Sequence, residues 1–104
     1  MDIIAFYYNG LNDQVLFLKE TRIESHCQNE EIDYLFELEW PNRFLFGKFI
    51  TFKEREILLC ITSNYEMFIF DSLKLKHKSA TAVTPIYYGH LFASAHWFKP
   101  VSMR

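Results

Sequence analysis

Apolar residues recur at every second position along most of this chain, and the polar gaps between the alternating runs are only a few residues long. From Ile32 to Trp40 the even positions hold Ile, Tyr, Phe, Leu and Trp, while the odd ones hold Asp33, Leu35, Glu37 and Glu39. Leu35 apart, a strand here has one apolar face and one carboxylate face. A helix starting at Asn29 and stopped by Pro41 is the rival, but on a helical wheel its acids scatter around the apolar stripe instead of opposing it. Period two therefore predicts a strand.

The same reading extends along the chain. Pro41-Asn42-Arg43 is a turn, Phe44–Phe52 a central strand aromatic on both faces, and Lys53–Glu56 a charged connection. Ile57–Thr62 is a buried strand and Ser63–Glu66 a polar turn. Met67–Lys78 alternates again, with Met67, Ile69, Leu73 and Leu75 as its apolar side and a bulge expected near Phe68–Asp71. Asp2–Tyr8 and Gln14–Lys19 form a hairpin around Asn9-Gly10, where glycine supplies a positive φ. Thr21-x-x-Glu24 matches a capping box that opens one or two helical turns, and Thr84-Pro85 matches a helix start leading into 86–98. Turns this short join antiparallel neighbours, because a parallel crossover needs a dozen or more residues. The expected fold is mainly β, or α+β if the C-terminal helix forms. It is a single domain over 1–104, an antiparallel sheet of six to seven strands in meander order, curled or half-closed.

Composition bounds the rest. Eleven Phe, six Tyr and two Trp in 104 residues exclude a disordered tail, and three Gly with three Pro leave no linker. Unbroken apolar runs such as Ile57–Ile61 are far below the ~20 residues of a membrane-spanning helix. The N-terminus lacks a basic stretch and small-residue cleavage site, so a secretory signal is not expected. Cys27 and Cys60 make one pair at most, which fits reduced thiols in a cytoplasmic protein. The abundance of Phe, Ile, Tyr, Asn and Lys, residues with A/T-rich codons, points weakly to a bacterial or phage gene.

Charge is segregated. Residues 1–40 carry nine Asp/Glu against two Lys/Arg, a net of −7; residues 41–104 carry four against nine, a net of +5. The overall −2 thus conceals two opposed regions. The acidic set Glu24, Glu30, Glu31, Asp33, Glu37 and Glu39 suits docking onto a basic protein, particularly a nuclease whose site expects phosphates. The leading expectation is a small non-catalytic inhibitor of the toxin-immunity type. Two other readings compete. Lys74, Lys76 and Lys78 on one strand face, followed by aromatics, have the ingredients of a single-stranded nucleic-acid binder, although such proteins are usually basic overall. His90 and His96, with His77 nearby, have the side chains for acid–base cleavage of RNA. No metal or cofactor is expected: His26-Cys27 and Cys60 lack paired zinc-ligand spacing, there is no EF-hand loop, and three scattered glycines make no phosphate-binding loop.

Overall fold

A computed structural model describes residues 3–10, 13–71 and 84–91, and the statements below concern these. They form eight strands and no helix: β1 (Ile3–Asn9), β2 (Gln14–Lys19), β3 (Arg22–Cys27), β4 (Asp33–Glu37), β5 (Phe44–Phe52), β6 (Arg55–Thr62), β7 (Glu66–Asp71) and β8 (Tyr87–His90). Every pairing is antiparallel. The strands divide into two four-stranded sheets, in the orders β1-β2-β3-β4 and β5-β6-β7-β8.

Alternation decides which side chains enter the core. In β2 the even residues Gln14, Leu16 and Leu18 are buried; in β6 Glu56, Leu58, Cys60 and Thr62 are buried; in β7 Phe68 and Phe70 are. The inner faces of both sheets supply one cluster, with Leu16, Leu18, Ile23 and Leu35 from the first and Phe44, Leu58, Cys60 and Phe70 from the second. Phe36 of β4 carries the first sheet onto the second, its ring 4.9 Å from that of Phe70 and 5.3 Å from that of Phe68. Where β5 passes over β2, Gly47 permits the close approach, since a Cβ there would overlap Cδ2 of the buried Leu18. The linking segment is tied down at both ends: Leu38 N–H donates to the Thr21 carbonyl (2.8 Å) and Phe44 N–H to that of Glu20 (2.6 Å).

Several expectations need correction. The single sheet of six to seven strands is two sheets, because after β4 the chain turns at Trp40-Pro41, a cis peptide, and β5 pairs only with β6. β5 is accordingly an edge strand, not a central one. The capping box at Thr21 is not helical: Thr21 lies in a two-residue turn, and in β3 Ile23 and Ser25 point inward while Glu24 pairs opposite Phe17 and reaches Lys19 of β2. The expected C-terminal helix is a strand at Tyr87–His90; its remainder, 92–98, lies outside the described residues. Gly10 does not have a positive φ; in that hairpin Asp13 does, at 52°.

Two faces are inverted relative to the pattern. In β7 Phe68 and Phe70 form the core side, and Met67 and Ile69 face outward. In β4 Leu35, the apparent exception, is fully buried, whereas Ile32 and Tyr34 are exposed. The register explains this: Ile23 pairs with Phe36 and Glu24 with Tyr34, so Leu35 is the extra residue of a bulge that turns the strand over.

Candidate functional site

The first sheet's outer face is built around Glu24. Cross-strand pairing sets Glu24 of β3 opposite Phe17 of β2 and Tyr34 of β4, and the side chains of Lys19, Arg22 and His26 close over it. Its carboxylate lies 2.8 Å from His26 Nε2, 3.1 Å from Lys19 Nζ and 3.9 Å from an Arg22 guanidinium nitrogen. Burial works to raise its pKa, but the hydrogen bonds from His26 and Lys19, with their positive charges, leave it below the ordinary carboxylate range. Glu24, counted among the surface acids in the sequence, is thus an internal hub that is only 4 % exposed, and it is removed from the docking set. Aromatic rings frame the hub: Phe17 meets His26 edge-on at 4.7 Å, and Arg22 lies over Tyr34 at 4.7 Å.

The remaining acids follow the edge strand β4 and its flanks. Glu30 and Glu31 are exposed in the β3–β4 turn, which Glu30 N–H closes on the Cys27 carbonyl at 3.2 Å. Asp33 is half-buried opposite Ser25, and Glu37 and Glu39 are exposed. Arg22 reaches Glu37 at 4.0 Å; among the described residues no cation forms an ion pair with Glu31, Asp33 or Glu39. β4 pairs with β3 on one side, and no described strand pairs with it on the other. Large apolar side chains share this edge: Ile32, Tyr34 and above all Trp40, which is 68 % exposed. Sequence alternation had placed all three on the buried face. The bulge at Leu35 and the turn at Pro41 present them instead, and neither was legible from period two alone.

Trp40-Pro41 leads into a second polar cluster. Asn42 donates to Glu66 Oε1 (2.7 Å), as does the Thr62 hydroxyl (2.9 Å), while Tyr88 donates to Glu66 Oε2 (2.7 Å). His90 Nε2 stands 3.9 Å from the same Oε2. Burial would raise the Glu66 pKa, but Tyr88, Asn42, Thr62 and His90 together leave it lowered. A depressed carboxylate holding three hydrogen bonds is a weak base, and its geometry ties the β4–β5 link to the β6–β7 turn and β8. His90 is exposed beside it; His77, His96, Lys74, Lys76 and Lys78 lie outside the described residues. Among the described residues no three His, Cys, Asp or Glu side chains gather as a metal site, and no helix is long and apolar enough to cross a membrane.

No protein-family model, curated protein or solved structure matches this chain.

Proposed function

We propose that this chain is a non-catalytic binding protein of the inhibitor or toxin-immunity type, which docks the β4 edge onto a basic protein partner such as a nuclease toxin. The observation that supports it most is the grouping, along one strand edge that no described strand pairs with, of Trp40 and Tyr34 with Glu30, Glu31, Glu37 and Glu39. Exposed Trp and Tyr are the side chains that most often dominate protein interfaces, and surrounding carboxylates steer a cationic partner and fix its orientation. An unpaired strand edge adds main-chain donors and acceptors for an extended segment of that partner. The reading belongs in a reducing cytoplasm, where Cys27 and Cys60 remain the free thiols they are here.

The test is capture from the native host with immobilised wild-type chain and with the Glu37→Lys/Glu39→Lys and Trp40→Ala variants, each first shown to melt like wild type. Wild type retains a basic protein at low salt; charge reversal and loss of the indole each release it. A captured basic protein that binds all three chains equally refutes the proposal, as does capture of RNA in its place.

A further inference from the structure

The second sheet is apolar on both faces. Its inner face makes the core, and the outer one is covered by nothing among the described residues. The register defines it: Phe46 pairs with Ile61, Lys48 with Leu59, Ile50 with Ile57 and Phe52 with Arg55, all pointing away from the core. The opposite alternation in β6, where Glu56, Leu58, Cys60 and Thr62 are buried, confirms the direction. Met67 and Ile69 of β7, opposite Ile61 and Leu59, carry the face across to β8, where Tyr87 pairs with Ile69. Phe46, Ile50, Phe52 and Tyr87 are 49 %, 40 %, 55 % and 43 % exposed.

We propose that two copies of this chain associate back to back through this outer face of β5-β6-β7-β8. Its size fits. Four large side chains about half exposed present roughly 400 Å². The five half-buried aliphatic residues of β6 and β7 bring the face to about 600 Å², the upper limit for a patch on an ordinary monomer. Two such faces bury on the order of 1,200 Å², the threshold of a stable protein interface.

Charge selects a second copy as the occupant. The face carries one charged side chain within it, Lys48, and its edge-strand position lets the ammonium reach solvent past the rim. At its border Arg55 and Asp71 neutralise each other in an ion pair, and Lys53 lies over the Phe52 ring at 5.4 Å. Among the described residues only Lys48 and Lys53 add positive charge on or beside one edge strand, too few for the lysine and arginine fringe of a membrane-binding surface. Facing itself across a two-fold axis, the sheet is self-complementary, as sheets packed face to face in sandwiches are. A total charge of −2 opposes the approach of copies only weakly.

Sedimentation equilibrium of the full chain across the micromolar range tests this. Wild type shifts with concentration from 12.5 kDa toward twice that mass. Ile50→Glu, which sets a carboxylate opposite Ile57 on the face, weakens association roughly tenfold or more, equivalent to at least about 1.4 kcal/mol. Phe6→Ser, on the first sheet's outer face, leaves it unchanged. Should Ile50→Glu fail to fold by circular dichroism, Phe52→Ser at the strand end gives the same reading. A wild-type chain that stays monomeric overturns the proposal, whether the face is covered by the chain's own remaining residues or left bare. A dimer indifferent to Ile50→Glu or Phe52→Ser, or broken by Phe6→Ser instead, overturns it equally.

Discussion

Replacing Glu24 by Gln isolates the charge at the centre of the first sheet's outer face while keeping its shape. The carboxylate accepts from Lys19 and His26 and lies near Arg22, and the three partners are 23 %, 30 % and 33 % exposed. A covered, charge-assisted hydrogen bond nets about 1.5–3 kcal/mol, whereas a solvated surface pair gives about 0.2–1 kcal/mol. Glu24 lies beneath one layer of long side chains, not in the deep core, so solvent screening discounts the higher figure. Gln also retains one carbonyl acceptor. The expected loss at pH 7 is therefore about 1–2 kcal/mol, or roughly 5–15 °C in melting temperature for a domain of this length.

The pH dependence supplies the sharper test. The folded pKa of Glu24 is lowered, so the native state holds the charged form more tightly than the unfolded chain does. Its contribution is complete above the unfolded carboxylate value, about 4.3, and is lost as pH falls through the folded value. Urea unfolding of wild type and Glu24→Gln at pH 7 and again near pH 3 should show the gap narrowing toward zero in acid. A variant as stable as wild type at pH 7, or a gap that does not change with pH, refutes the assignment of Glu24 as a net-stabilising hub.

Two further consequences are readily measured. Lys53 and Glu54 form the two-residue β5–β6 turn with φ of 50° and 65°, a left-handed pair that Asn-Gly adopts far more easily. Lys53→Asn with Glu54→Gly should therefore raise stability by about 1–2 kcal/mol, seen as a higher urea midpoint with an unchanged slope. Burial pushes the Cys60 thiol well above its ordinary pKa, while Cys27 is half-buried. A maleimide should modify Cys27 first in the native protein and Cys60 only in denaturant, and equal rates by mass spectrometry would count against this core.

Where the hydrophobic pattern was uninterrupted, the chain disclosed its structure. β2, β5, β6 and the first hairpin were readable as strands because short apolar or alternating runs bounded by turn residues are a local signal, although the edge position of β5 was not. The misreadings share a cause. The bulge at Leu35 inserts one residue, so the alternation from Ile32 to Trp40 named the buried side correctly at Phe36 and Leu38 and wrongly at Ile32 and Tyr34. In β7 both faces are apolar, and a strand with Met67 and Ile69 on one side and Phe68 and Phe70 on the other contains no local information about which side is the core. Glu24 could be placed only by its neighbours: Lys19 comes within reach because the Glu20-Thr21 turn folds β2 onto β3, where Arg22 and His26 flank Glu24 on its own strand face. The division into two sheets likewise depends on the path of the chain after Trp40, which periodicity does not encode.

The two proposed surfaces occupy different places, and that makes them independently testable. The sheets face each other across the core, so the outer face of the second sheet points away from the first, and back-to-back association leaves both β4 edges uncovered. A dimer would then present two acidic edges, and a partner with two basic sites, or one fixed to a surface, would be held more tightly than a single edge allows through the raised effective concentration of the second contact. Glu37→Lys/Glu39→Lys should abolish partner capture and leave the mass unchanged. Ile50→Glu should halve the mass and preserve capture in solution, with avidity on a densely loaded surface lost. If one set of substitutions instead affects both readouts, the two surfaces are a single site, and the separation of acidic edge from apolar face drawn from the sheet topology fails.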